Sequence, residues 1–535
     1  MANLGHQQVY AILNSYDEVV CERLYWNGRD GVTTSIESNR PLRDFDIVCF
    51  SISFELDYLK IPQILESQGI PSLAIHRNDT HPIVLAGGIA PTLNPEPISP
   101  FIDAFIIGEF EPVADGFIQA IPYLVDKGLK REERLKALLN LLAPVYVPSF
   151  YHTAKGTRYL VVREKKVDNA PFPITPMATT DLDVAPCSHV ESPKSVFGKM
   201  HLVEVTRGCG QGCRFCAAGF AYRPARRWKK EVILPALSRA KTLGASSVGL
   251  IGLEFADREL LGDLYDVLHR DGLRLSFSSL RADMIDPTFA SLLAQSGVKT
   301  ATIAAEAGSQ RLRNIINKRL REDDILTATS VLTEASIPNI KIYLMMGLPH
   351  EEDDDMESTI ILVQKVRDTM MAQGRKMGRL GTLTVSFSTF VPKPFTPFQW
   401  CAFTPREILK RRRRILKKGL SGLSNVRVRF DSIREARAQA ILSRGDRALA
   451  PAIWASSTKG ISFEKAIKDS GISVDRYLTE IVERGGSLPW DVIGARVRQE
   501  YLESEFVRSC HVKETAKCSF EGCKKCGACE VVGDV

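Results

Sequence analysis

Three cysteines within eight residues, Cys209-Gly-Gln-Gly-Cys213-Arg-Phe-Cys216, form the stretch of this 535-residue chain whose types and spacing most plainly do chemistry. Thiolates this close together reach one small inorganic centre, and Gly208, Gly210 and Gly212 let the backbone fold back around it. Zinc asks for a fourth ligand, which this loop does not supply. A [4Fe-4S] cube held by three cysteines keeps one iron free for another ligand. A structural zinc loop or three buried thiols are the plainer alternatives. A second set closes the chain: Cys518, Cys523, Cys526 and Cys529 lie within twelve residues, with Gly522 and Gly527 between them. That density is too high for a core, and either a tetrahedral zinc or a second [4Fe-4S] cluster fits it. Cys187 is isolated and reads as a buried or incidental thiol.

The elements around the first loop read as alternating strands and helices. An apolar-alternating run from His201 to Thr206 feeds the cysteines. Strand-like runs at 202–206, 247–252, 274–279, 300–305, 340–346 and 383–390 alternate with helical runs at 230–243, 258–270, 287–296, 322–335 and 355–371. Six such repeats predict a partial (β/α)6 barrel, with the chemistry on loops at the strand C-termini. Ser278-Ser279-Leu280-Arg281, Glu306-Ala-Gly308-Ser309 and Met346-Gly347-Leu348-Pro349 end the third, fourth and fifth strands. Charged strand ends of this kind also make local salt bridges.

The spacing Cys-x3-Cys-x2-Cys, with Phe215 before the last cysteine, resembles the signature of the radical S-adenosylmethionine (SAM) superfamily. The resemblance implies that Cys209, Cys213 and Cys216 ligate a [4Fe-4S] cluster. Its open iron would chelate the amino and carboxylate groups of SAM, and an electron would cleave the sulfonium to a 5′-deoxyadenosyl radical. It also implies Phe215 beside the adenine, SAM contacts from Arg281, Glu306, Ser309 and Gly347, and an electron donor such as flavodoxin or ferredoxin. The tail cysteines resemble ferredoxin loops, which favours iron–sulfur over zinc there.

Residues 1–145 read as an α/β unit, with strands at 46–52, 82–88 and 101–107 and a helical run at 56–67. A doubly wound, Rossmann-like sheet would seat a ligand at its strand C-termini, where Gly87 and Gly88 permit close approach. The segment Gly87-Gly88-Ile-Ala-Pro91-Thr92-Leu-Asn94-Pro95-Glu96-Pro97, with the later Gly108-Glu109, resembles the cobalamin-binding-like domain that precedes many radical SAM barrels. The Asp-x-His-x-x-Gly motif that holds cobalt from below is missing, and His76 and His81 lie elsewhere. Cobalamin, an empty domain and another ligand all stay open.

Residues 146–200 form a connector broken by Pro148, Pro171, Pro173, Pro176, Pro186 and Pro193. The barrel takes 201–400, ending in the stiff loop from Pro392 to Trp400. Residues 401–505 read as mostly helical, with periodic runs at 436–443 and 474–483, and 506–535 as the metal-binding tail. Segments at 443–447 and 488–491 resemble a bacterial branch of the superfamily that brings no known substrate with it.

A hydrophobic content of 44% and a charged content of 25% describe a globular protein, and no apolar run approaches the ~20 residues that cross a bilayer. No secretion leader is apparent, and clustered cysteines suit a reducing compartment, so a cytoplasmic location is expected. The net charge of +7 permits a polyanionic partner, and the basic run from Lys410 to Lys418 reads as a solvated helix face rather than an RNA-binding patch. The expected function is a radical SAM enzyme acting on an unidentified substrate, RNA or protein included, with methylation as the outcome if cobalamin binds. One rival is methylthiotransferase-like modification of tRNA or a ribosomal protein. Those enzymes carry a cluster in the N-terminal domain, where this chain has only Cys21 and Cys49. The other rival is a non-catalytic metal-cluster protein that binds RNA.

Overall fold

The computed structural model describes residues 3–26, 34–192, 195–252, 258–277, 279–480, 484–518, 523 and 525–532. Pro193, Ser278, Gly522 and the end of the helical run predicted at 474–483 lie outside the described residues.

The N-terminal sheet consists of β1 (Ile47–Ser51), β2 (Ile83–Gly87), β3 (Ala104–Ile106) and β4 (Val145–Tyr146), in that spatial order. The first three are parallel, with Ile47 opposite Ile83 and Leu85 opposite Ala104; β4 closes the edge antiparallel. β2 reads as an unbroken apolar run because it is buried on both faces, as a central parallel strand must be. Among the described strands the order does not reverse, so they form no switch-point crevice, the usual ligand seat of a doubly wound sheet.

The connector stitches the molecule together. Its hairpin, β5 (Tyr151–Lys155) and β6 (Leu160–Lys165), is followed by single bridges from Ile174 to Ile493, from Met177 to Gly108 and from Cys187 to Val203. Pro173, Pro176 and Pro186 thus punctuate short extended pieces that pair with different neighbours.

The barrel sheet begins with β7 (Met200–Glu204). The hairpin of β8 (Thr206–Arg207) and β9 (Arg226–Arg227) then encloses the cysteine loop. β10 (Ser247–Ile251) and β11 (Arg274–Phe277) extend β7 in parallel. A second parallel group, β12 (Thr300–Glu306), β13 (Asn339–Met346), β14 (Leu383–Thr389) and β15 (Val426–Phe430), joins the first through a Leu280–Ile303 bridge. All six predicted strands form. β15 adds a seventh from a region read as helical, because its arginine-alternating run, Val-Arg-Val-Arg-Phe, blends into the basic helix beside it.

That helix, Arg406–Leu420, buries Leu409, Arg412, Leu416 and Leu420 along one stripe. Each fully buried leucine there contributes about 1.5–3 kcal/mol. No helix among the described residues is long and apolar enough to cross a membrane.

Candidate active site

The cysteine loop leaves the C-terminal end of the first barrel strand, and two glycines make its path possible. Gly208 has φ +81°, and a Cβ there would collide with the Tyr222 carbonyl; Gly212 has φ +72° and sits against Arg223 and Asn317. Cys216 caps the helix Ala217–Ala221, its sulfur accepting the Gly219 N–H at 3.4 Å. The Gln211 N–H reaches the Cys209 sulfur at 3.4 Å, and the Cys216 N–H donates to the Cys213 carbonyl at 3.1 Å. Burial, reinforced by the neighbouring Cys213 thiol, pushes the Cys216 thiol up to about 12. A thiolate at that position therefore needs positive charge beside it, which a metal provides.

Cationic side chains line the same end of the barrel. Lys318 Nζ lies 3.2 Å from a Glu306 carboxylate oxygen, and Arg281 donates to both Asp283 oxygens at 3.0 and 2.9 Å and to the Lys318 carbonyl at 3.2 Å. Glu306 stands at φ +67°, where the β12–β13 register slips between Ala304 and Glu306. A left-handed non-glycine residue at a bulge re-aims its side chain, and here it turns the carboxylate toward Lys318.

The loop is held from two sides. Arg214, between the second and third cysteines, is fully buried; it donates to Glu505 at 3.0 Å, to the Asn314 and Ile315 carbonyls at 3.1 and 2.8 Å, and to the Lys513 carbonyl at 2.7 Å. Asn317 Nδ2 donates to the Gly212 carbonyl at 3.1 Å. The chain after the helix Gln499–Cys510 then runs back along the loop, and the Cys518 N–H donates to the Gly210 carbonyl at 2.8 Å. A small cleft between loop and tail is lined by Cys209, Cys518, Cys526, Cys529 and Arg223. Burial first, then the nearby Cys523 and Cys526, pushes the Cys518 thiol up to about 11. Among the described residues, no three His, Cys, Asp or Glu side chains are already set as a bound ion would hold them.

The remaining predicted positions have local partners. Phe215 packs against the apolar cluster that contains Ile315, Leu348 and Phe398. Ser309 caps the helix Gln310–Ile315, accepting the Leu312 N–H at 3.1 Å and donating to Asp355 at 2.6 Å. Gly347, φ +79°, would place a Cβ 2.9 Å from Leu409 Cδ2, and its N–H donates to Glu351 at 2.7 Å. Gly88, φ +105°, faces the Ile52 backbone, with which a Cβ would collide; a Cβ on Gly87 would stand 3.4 Å from the Ile106 carbonyl.

The other parts of that N-terminal segment reach across to the rest of the molecule. Asn94 Nδ2 donates to the Ser443 and Gly445 carbonyls at 3.1 and 2.8 Å, and Glu96 pairs with Arg447 at 2.8 Å. Glu109 accepts from Arg226 and Arg207 at 2.8 Å, from Arg496 at 3.3 Å and from the Thr179 N–H at 3.0 Å. Burial alone would raise its carboxyl; the hydrogen bond and charge of Arg226, then Arg207 and Arg496, outweigh it and bring the group down to about 2.

The basic run is only partly a solvated face. Arg412 is 7% exposed and donates to Glu351 at 2.7 Å, while Arg413 lies 4.9 Å over the Phe430 ring. Glu351 is nevertheless pushed up to about 7, chiefly by burial. Sequence reasoning missed Lys318, Arg214, Arg223 and Glu505, since nothing in their local spacing shows which loop they meet.

Residues 5–148 match the family model described as radical SAM proteins, N-terminal, and residues 203–363 match that of the radical SAM superfamily. The chain is 29% identical over 453 residues to the uncharacterized protein MJ0966 of Methanocaldococcus jannaschii, across 84% of this chain and 88% of that one. It is 27% identical over 177 residues to a tRNA-2-methylthio-N(6)-dimethylallyladenosine synthase of Chlorobium phaeovibrioides, across 31% of this chain and 39% of that protein, so it spans less than half of the synthase. Among solved structures, the radical SAM methyltransferase TsrM of Kitasatospora setae, with cobalamin and a [4Fe-4S] cluster bound, aligns with a TM-score of 0.48 at 13% identity, over 80% of this chain and 88% of that one. The cobalamin-dependent enzyme OxsB, with aqua-cobalamin and SAM bound, aligns at 0.47 and 16% identity, over 69% and 50%.

Proposed function

The chain belongs to the radical SAM superfamily, and we propose that it is an enzyme in which Cys209, Cys213 and Cys216 hold a [4Fe-4S] cluster that binds SAM at its open iron. The observation that carries this reading is the position of the loop: three thiols at the C-terminal end of the first barrel strand, two of them accepting backbone N–H groups. Within the loop itself the sulfur donors number three, which suits a cube with one open site better than zinc. When bound, such a cluster supplies the electron for reductive cleavage of SAM.

The protein's own groups orient and balance this centre. Backbone N–H groups at Gln211 and Gly219 tune the thiolates. Arg281, after β11, and Lys318, in the loop after the helix Gln310–Ile315, offset their negative charge. Glu306 is the candidate to receive the SAM ammonium or a ribose hydroxyl, with Lys318 fixing its direction until then. Phe215, Ser309 and Gly347 belong to the shell around that position. Cys518, Cys523, Cys526 and Cys529 are the donors for a second metal centre, and the Cys518–Gly210 hydrogen bond supports its lying beside the first loop.

Cobalamin fits this chain less well. The lower cobalt-ligand motif is missing, Gly88 is filled by the Ile52 backbone, and Glu109 is taken up by three arginines. No step through cobalamin follows from these residues. The rival non-catalytic RNA-binding function draws little support from a basic run whose Arg412 is buried on Glu351.

Anaerobic reconstitution tests the proposal, with iron, sulfide, zinc and cobalamin counted per chain and SAM cleavage followed in wild type and Cys213→Ala. About eight irons with 5′-deoxyadenosine formed only by wild type supports two clusters and a radical enzyme. About four irons plus zinc makes the tail a zinc site. A fully loaded protein that leaves SAM intact sinks the proposal.

A further inference from the structure

The barrel sheet leaves one of its faces polar and cationic in the half built from β12 to β15. Along β13, Ile340, Ile342, Leu344 and Met346 are buried, whereas Lys341, Tyr343 and Met345 alternate onto the other face. The apolar set of β15, Val426, Val428 and Phe430, is half-buried and turned to the helix layer, since Phe430 stacks on Phe387 at 4.9 Å and lies under Arg413. Arg427 and Arg429 therefore share the face of Lys341 and Tyr343.

Register places these residues in two rows. Lys341, Thr384 and Arg427 lie side by side across β13, β14 and β15, and Tyr343, Ser386 and Arg429 form the next row. Tyr343 is 38% exposed, and Lys341 Nζ lies 2.8 Å from its hydroxyl. Among the described residues, Lys341, Arg427 and Arg429 have no carboxylate partner, and the acid above them, Glu306, is paired with Lys318. The opposite half differs: the same face of β7 and β10 is closed by Met200 and Leu202 packed over Gly249.

Two arginines, a lysine held by the Tyr343 hydroxyl and two further hydroxyls on one face need a reason, because central parallel strands such as β13 and β14 are ordinarily apolar on both faces. We propose that this face seats the substrate of the radical chemistry, and that the substrate is an elongated small molecule bearing a phosphate-type group held by Lys341, Arg427 and Arg429. The inference rests on the reading that the chemistry occurs at the strand C-termini. From the Tyr343 row to the end of β13 is three residues, or about 10 Å, and from the Lys341 row five residues, about 17 Å. The anionic group would therefore sit roughly 10–17 Å from the reacting carbon. A metabolite built like a nucleoside diphosphate has that reach.

Calorimetric titration of the reconstituted full-length protein with ADP, with adenosine and with a short oligo-uridylate tests the proposal. It needs no SAM cleavage, so its failure is distinct from failure of the radical reading. ADP is expected to bind and adenosine not to. Arg429→Gln and Lys341→Met are each expected to weaken ADP by about tenfold or more, as loss of a charge-assisted hydrogen bond does. Arg413→Gln, which removes the same charge from the helix side, should leave affinity unchanged. Circular dichroism of each variant checks that the substitutions leave the fold intact. The proposal is overturned by absent ADP binding, by adenosine binding equally well, or by an equal loss in Arg413→Gln. Oligo-uridylate binding far more tightly than ADP through the same residues also overturns it, in favour of a nucleic-acid substrate.

Discussion

The N-terminal sheet and the barrel sheet are both built mainly of parallel strands, yet their strand ends are used in opposite ways. In the N-terminal sheet the ends of β2 and β3 are filled by protein: Gly88 by the Ile52 backbone, Gly108 by Met177, and Glu109 by three arginines. In the barrel the ends of β7 and β12 gather thiols, Lys318 and a turned Glu306 around a loop. A glycine-rich strand end therefore marks close backbone approach, and only the neighbours tell whether a ligand or the chain itself makes that approach.

The largest expected effect separates the two regions by function. Cys213→Ala should bring 5′-deoxyadenosine formation to background while leaving thermal stability near wild type, because the loop stays anchored through Arg214. A variant that keeps cleaving SAM would remove the barrel end as the site. Glu109→Ala should act in the reverse sense, through stability. It leaves Arg226, Arg207 and Arg496 buried without their carboxylate and should cost about 3–5 kcal/mol in a denaturant titration. Unchanged stability would show that the triple contact is not a lock.

The same carboxylate predicts an acid limb. Its folded value lies below its ordinary 4.5, at about 2, so its contribution is fully present above 4.5 and is lost as the pH falls through about 2. A shift of this size is worth about 3 kcal/mol, and Glu109→Gln should flatten that part of the stability curve. Gly88→Ala is expected to cost about 1–3 kcal/mol, from a left-handed backbone and a collision with Ile52. A neutral result, measured by melting temperature, would mean the strand end is looser than its geometry indicates. The smallest effect belongs to Arg411→Ala. Its half-exposed pair with Asp353 should change stability by less than about 1 kcal/mol, in contrast to the buried Arg412–Glu351 pair beside it.

Much of the architecture was legible from periodicity. The six predicted barrel strands carry apolar residues that recur between helical runs, and the glycines at 208 and 212 mark where a cysteine loop must turn. β15 escaped notice because its alternating arginines blend into the basic helix beside it. The rows of Lys341, Tyr343, Arg427 and Arg429 were present as alternate polar positions, but their neighbours across the sheet exist only once register is set.

By itself the sequence determined the identity of the donors: three closely spaced thiols in the loop and four in the tail, because ligand type and local reach are properties of a short segment. Tertiary structure alone decided that the tail returns to the loop through Cys518 and Gly210, that Lys318 answers Glu306, and that Gly88 and Glu109 serve packing. Each of these joins residues from separate elements. Such contacts follow from how the sheets and helices pack, and no local spacing records them.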